Sequence, residues 1–345
     1  MNRNGFMKFD RKNRRAFAAV TLAAAMAGSI SGCGGSVGQQ EDYQAMGLGY
    51  ETGTLILATG EENSLVHLAG ASVASVVNQT VPGIHVALEL SKGSMNNAAN
   101  VSEGRVDLAL ISGDVAYDAI NGEYSFDGEA LENLCALAAC YQEVSGWAAL
   151  EESGLTYVNQ LKGKILSTGS KASATEQAAE DVFEILGIDS TNTELYSDSI
   201  FNSVAHVKRQ TADASHAFTA VPNGSHESIA AEKGISVLSY TEAELDAIVN
   251  ADPRYFKTEI PAGTYTGQDE AVPTFGVKVL LCASEDMDED LAYAIARTID
   301  VNGAAYAGNH KFMEAMLDET FLCNELPIPL HEGAKKYYEE LGFLK

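Results

Sequence analysis

Positive charge is what this sequence has least of: 22 Lys and Arg stand against 48 Asp and Glu in 345 residues. Six of those cations, Arg3, Lys8, Arg11, Lys12, Arg14 and Arg15, crowd the first stretch of chain, where Asp10 is the only acid. From residue 33 onward 16 basic residues therefore face 47 acidic ones, a net charge of −31. Such a surface repels phosphate backbones and anionic headgroups, which excludes nucleic-acid binding and a polybasic membrane contact. The same acidity suits solubility in an extracytoplasmic space and attracts cationic partners.

Enzyme motifs are missing as well. The sequence has no GxSxG elbow, no Walker loop, no GxGxxG opening a helix and no HExxH. Cys135, Cys140, Cys282 and Cys323 form no CxxC pair and have no His at ligand spacing, so neither a zinc site nor any other metal or cofactor is expected. An even number of cysteines outside the cytoplasm permits disulfides, but free Cys tends to be buried, and buried thiols are the default. Asp286, Asp288 and Asp290 are spaced like a calcium loop, yet Leu291 stands where Gly is required and Arg297 where the last ligand would be. They read instead as acids at a helix start, favoured by its dipole. His67 and His85 are isolated, and His216 lies in a strand, where a packed or hydrogen-bonded imidazole is the expectation.

Long apolar runs are also absent, except at the N-terminus, where residues 16–30 are apolar or small. That run is shorter than the roughly 20 residues that span a bilayer. Behind a basic start it reads as a secretory signal peptide. It ends in Ile30, Ser31, Gly32 and Cys33, which resembles a bacterial lipobox. Residues 1–32 are thus read as a lipoprotein signal peptide, Cys33 as the lipidated first residue of the mature chain, and 33–50 as a Gly, Gln and Ser-rich tether.

Beyond the tether the pattern alternates. Strands are expected at 54–59, 85–90 and 108–112, and helices at 64–79, 92–103 and 115–121, with breaks at Pro82, Gly83, Gly104 and Gly122. This βα alternation predicts a parallel sheet. After the apolar run 134–150, a second series follows: strands at 164–168, 193–196, 214–220 and 236–239, helices at 173–186, 199–209 and 225–233. Ser173 with Glu176, and Thr241 with Glu244, have capping-box spacing. A Pro and Gly-rich segment, 253–273, leads to a strand at 274–281, and only helices are expected from Met287 on. Two lobes follow, with crossings near 140–146 and 274–282 and a cleft between them.

Ligands of open α/β sheets sit beyond the carboxyl ends of strands, where helix N-termini present N–H groups. Here those turns are small and polar. The first holds Thr59, Gly60, Glu61, Glu62, Asn63 and Ser64; the second Ser91, Lys92, Gly93 and Ser94; the third Ser112, Gly113 and Asp114; the fourth spans 168–175. Gly, Ser and Thr cap helices in any α/β protein, but four turns of one character suit a shared cleft for a small polar ligand.

Residues 260–274 read IPAGTYTGQDEAVPT, which resembles the signature of the TAXI family, the solute-binding subunits of TRAP transporters. The similarity extends over most of 51–345 and includes Asp114, Val115, Ala116, Tyr117 and Asp118, then Leu161, Lys162, Gly163 and Lys164, and later 326–331. The resemblance implies an α/β, two-lobed periplasmic-binding-protein-like (type II) fold, with two mixed or parallel sheets flanked by helices and a ligand cleft between lobes. The lobes would be 51–142 plus 277–345 and 143–276.

It further implies a monomeric extracytoplasmic receptor, not an enzyme. Such a receptor passes a small polar solute, an amino acid or organic acid, to a TRAP-type membrane permease. Carried over by position, the ligand-facing residues are Thr59, Gly60, Gly93, Ser94, Ser112, Asp114, Ser173, Thr175 and Pro222. Tyr265 either shapes the cleft or simply packs. The family's first loop is Gly-rich with a Tyr and Pro pair, whereas this chain has Glu61, Glu62 and Asn63 there. Glu61 or Asn63 would then meet an amine or hydroxyl of the ligand, or both Glu side chains would face solvent. The same lobes would also serve a membrane sensor, or an enzyme tethered by lipid.

Overall fold

The computed structural model describes residues 46–62, 64–171 and 173–344, apart from the side chain of Ser125. Cys33, Asn63, the signal segment and the first part of the tether lie outside the described residues. The chain enters β1 (Gly53–Ala58), α1 (Leu65–Thr80), β2 (Ile84–Glu89), α2 (Ser94–Ser102), β3 (Leu108–Ser112) and α3 (Gly113–Asn121). Helix α1 starts where Ser64 Oγ accepts from the His67 N–H, buries Ala69, Val73 and Val77, and stops at Val81 before Pro82. Helix α3 stops at Gly122, whose φ of 68° is the left-handed conformation that terminates helices. Strand β1 pairs in parallel with β2 on one side and β3 on the other, as βα alternation requires.

Strand β4 (Leu134–Leu150) is the mostly apolar 134–150 segment, a 17-residue strand. It lacks polar alternation because nearly every residue from 134 to 150 is buried on one face or the other. Next come β5 (Ile165–Ser167), α4 (Ala174–Leu186), β6 (Glu194–Tyr196), α5 (Ile200–Lys208), β7 (Ala214–Thr219), α6 (Gly224–Lys233), β8 (Ile235–Leu238) and α7 (Glu242–Ala251). Thr241 and Glu244 form the full capping box before α7. At α4, Ser173 Oγ accepts from the Glu176 N–H, while the Glu176 carboxylate accepts from Ser197 Oγ–H.

Strand β10 (Val272–Ser284) then runs antiparallel to β3 on one edge and β4 on the other. Its first residues also pair with β9 (Phe256–Ile260), a strand inside the segment read as irregular. Pro253 and Pro261 flank its five residues, of which Lys257, Thr258 and Glu259 are polar, so only the two end residues are apolar. The chain ends in α8 (Glu289–Val301), α9 (Gly303–Asn309), α10 (Glu319–Cys323) and α11 (Glu332–Leu341).

The order β2-β1-β3-β10-β4-β7-β5-β6 is one mixed sheet, flanked by helices. The two expected strand groups are halves of it, because β4 pairs with β10 through Glu143 and Val144 and with β7 from Val144 onward. Apolar clusters lie against each half: Leu57, Val73, Leu110, Leu281, Ile295 and Tyr338 belong to one half, and Trp147, Leu166, Phe183, Phe218 and Leu245 to the other. Among the described residues no helix is long and apolar enough to cross a membrane. The four described cysteines are unpaired, three of them buried.

Candidate functional site

Three strand-end turns of the first half are tied to one another by short polar contacts. Asn97 Nδ2 donates to Thr59 O at 2.7 Å and to Leu110 O at 2.8 Å, bridging the ends of β1 and β3. Ser91 Oγ–H donates to Thr59 O at 2.9 Å and accepts from the Gly93 N–H at 3.1 Å. The Ser112 N–H donates to Ser94 Oγ at 3.0 Å, and Ser112 Oγ–H donates to Asp114 Oδ1 at 2.5 Å. Thr59, Gly60, Gly93, Ser94, Ser112 and Asp114 are therefore brought together. Gly93, at φ 108°, caps α2 in a conformation that favours glycine. Glu61 is on the same rim but exposed.

In the second half, Ser173 caps α4 and Thr175 is locked onto β7. Thr175 Oγ1 accepts from the Phe218 N–H at 3.3 Å, and Thr175 O lies 2.9 Å from His216 Nδ1. Pro222 follows β7, and Asn223 donates through its backbone and side-chain nitrogens to Tyr265 Oη at 3.3 and 3.2 Å. Tyr265 is 2% exposed, so it supports the turn at Pro222 by packing. Gln268 holds the signature loop shut, donating to the Ile260, Pro261 and Glu270 carbonyls.

The two groups are linked through the sheet. Ser112 pairs with Val279, and Val279 with Tyr141; two residues on, Val277 pairs with Glu143, and Val144 with Thr219. Paired residues share a face, as do residues two apart on a strand, so Ser112, Tyr141 and Glu143 line one face of the crossing. Tyr141 is fully buried, and its hydroxyl has no hydrogen-bond partner among the described residues. Glu143 is half-buried, and loss of water, with the Asp114 carboxylate adding to it, pushes its carboxyl up to about 8. Sequence reasoning missed both, because they sit inside an apolar run.

A second missed cluster joins the halves. Arg254 Nε donates to both oxygens of Asp252 at 2.9 Å, Nη1 lies 3.7 Å from Asp118 Oδ1, and Nη2 lies 3.9 Å from Asp181 Oδ2. The guanidinium also covers the Tyr124 ring at 4.8 Å. Burial lifts the Asp118 carboxyl to about 6, more than Arg254 lowers it, because Asp252 holds the guanidinium most closely. Lys278 is also committed: its Nζ donates to Phe321 O at 3.0 Å and Asn324 O at 2.8 Å.

One Ser–His contact has the spacing of a nucleophile and its base. Ser145 Oγ is 2.8 Å from His216 Nε2 and 2.8 Å from Tyr240 Oη. With Nδ1–H directed at Thr175 O, Nε2 accepts from Ser145 Oγ–H, which accepts from Tyr240 Oη–H. All three side chains are buried, and His216 stacks on Trp147 at 4.6 Å. Burial pushes the imidazole down to about 3. Each member already has its partner within the trio or at Thr175 O, so the trio is a satisfied structural network, and His216 is the packed histidine the sequence suggested. Among the described residues no group of His, Cys, Asp and Glu is arranged to hold a metal ion.

Solved structures similar to this chain include the periplasmic aliphatic sulphonate-binding protein SsuA of Escherichia coli, 12% identical with 84% of each chain covered and a TM-score of 0.46. PhnD1 of Prochlorococcus marinus, solved with methylphosphonate, is 10% identical over 84% of this chain and 98% of that one, with a TM-score of 0.47. A probable amino-acid ABC transporter extracellular-binding protein of Bacillus subtilis, YtmK, is 13% identical over 76% and 99%, with a TM-score of 0.45. The sequence itself matches the NMT1-like family model over residues 57–342, most of its length. The protein belongs to the NMT1-like family.

Proposed function

We propose that this protein is an extracytoplasmic solute-binding receptor: it captures a small polar organic solute, an amino acid or organic acid, and hands it to a TRAP-type membrane permease. The lobes in this reading are 51–142 plus 277–345 and 143–276, with the β4–β10 crossing as the cleft floor. The observation that carries it is the set of bonds that gathers Thr59, Gly93, Ser94, Ser112 and Asp114 at one end of the crossing, while Thr175 and Pro222 stand at the other. In this reading Gly60, Glu61, Asn63 and Ser173 complete the ligand-facing set, with Tyr265 behind the turn at Pro222.

Lipid at Cys33 would hold the receptor at the membrane, raising its effective concentration near the permease as a monomer on a tether. Cys33→Ser is expected to release it from membranes with solute affinity intact. Binding is tested by mass spectrometry of small molecules released on denaturation, and by thermal shift, since a solute that binds only the native state raises Tm. Release of no solute, together with no shift across amino and carboxylic acids, would count against the reading.

A further inference from the structure

The carboxyl group of Glu143 is half-buried at the middle of the β4–β10 crossing, and no hydrogen bond or ion pair holds it among the described residues. Its electrostatic neighbours make its position worse, because Asp114 is close enough to oppose its ionisation. The two largely buried cations that flank the crossing are taken: Lys278 by two backbone carbonyls, Arg254 by Asp252 and the acids around it. Lys278 pairs with Gln142, which places both on the opposite face of the ladder from Val277 and Glu143. A second, independent observation lies beside it. The Tyr141 hydroxyl, on the same face, is buried without a partner and feels the Glu143 charge. Buried polar groups in folded proteins are nearly always hydrogen-bonded, so an acceptor and a hydroxyl left open side by side point to a molecule that satisfies both.

We propose that Glu143 selects the solute, and that the solute presents a protonated amine to it, with the Tyr141 hydroxyl and the Asp114 carboxylate on either side. The inference rests on the receptor reading of the same site. A cationic nitrogen supplies the charge that the crossing lacks and donates to Glu143. A sulfonate, phosphonate or carboxylate placed there would meet no free cation, would lie beside the Asp114 carboxylate, and would oppose ionisation of Glu143. Acyl chain or ring then points away from the crossing, towards the turns of Thr59 and Thr175.

The test is calorimetry on the full chain with matched probes: L-alanine against propionate, L-leucine against isocaproate, and putrescine against butanediol. The amine member of at least one pair should bind about tenfold or more tightly than its partner, and Glu143→Gln should weaken that binding at least about tenfold. Glu143→Gln removes a desolvated carboxyl, so its Tm should equal or exceed that of the parent, which separates lost recognition from lost folding. Equal affinity within every pair, an unchanged Glu143→Gln, or no binding by any amine overturns the inference. Binding by the deaminated members alone overturns it while leaving the receptor reading intact. That reading is judged separately by the molecules released on denaturation.

Discussion

Arg254 Nη1 stands 3.7 Å from Asp118 Oδ1, which joins the turn before β9 to the middle of α3. The pair is 10% and 12% exposed, so solvent screens it weakly. Arg254→Ala should therefore cost about 2 to 4 kcal/mol at pH 8, by denaturant titration, because Asp118 and Asp252 keep charges without a cation. The cost should be smaller at pH 5, where Asp118, already lifted to about 6 and further without Arg254, takes up a proton. Arg254→Lys should restore only part, since an ammonium cannot grip Asp252 with several N–H groups at once.

Stability against pH should show a plateau with a fall on each side. His216 and His226 are pushed down by burial, to about 3 and about 4 from 6.5, so the unfolded chain binds protons there that the fold does not. Their contribution is lost as pH falls below 6.5. Glu143 and Asp118 are pushed up, to about 8 and about 6, so the fold keeps protons that the unfolded chain has released. Their contribution is lost as pH rises from the ordinary carboxylate range. Between about 4.5 and 6.5 the two trends oppose, and from 6.5 to 8 Glu143 alone should remove about 1 to 2 kcal/mol. Glu143→Gln should flatten that upper limb.

Amine binding should release protons. At pH 7 an unliganded Glu143 near 8 is mostly protonated, and an ammonium beside it favours the ionised form. Release should approach about one proton per amine bound, read from calorimetry in buffers of different ionisation enthalpy. Zero release, or uptake, would contradict an ammonium at Glu143.

Ser145→Ala should destabilise by about 1 to 3 kcal/mol, because it strands His216 Nε2 and deprives Tyr240 Oη–H of its acceptor in a buried site. If Ser145 were a nucleophile instead, an active-site acylating reagent would label the parent and spare the variant. No labelling is expected in either.

Gly276→Ala tests how closely the crossing strands pack. A Cβ there would clash with the Glu143 carbonyl oxygen and lie 3.2 Å from its carbon, backbone atoms that cannot swing aside. The expected loss is about 1 to 3 kcal/mol, measured by chemical denaturation.

What could be read in the sequence was local. The Thr241 and Glu244 box, the Gly122 and Gly187 stops and the polar turns at Thr59 and Ser112 act over a few residues, and the structure has each in place. Register is not local. That Ser112, Tyr141 and Glu143 share a face depends on β10 lying between β3 and β4, which no short window of sequence encodes. Glu143 was hidden by its apolar neighbours, and the contact of Ser145 with His216 and Tyr240 by the strands and helices that separate them in the chain. Strand β9 was hidden by the prolines around it, and Arg254 by its place in a turn.

Because β4 passes without a break from β10 to β7, relative motion of the two sheet halves must be absorbed as twist along a shared ribbon rather than as swing about a loose tether. A ribbon turns least at its middle and most at its ends. Glu143 lies where the ladder changes partners, so it would act as a fulcrum between the halves that carry the turns at Thr59 and Thr175. A molecule anchored at the fulcrum could then be enclosed or freed by its far end, without its charged end being disturbed.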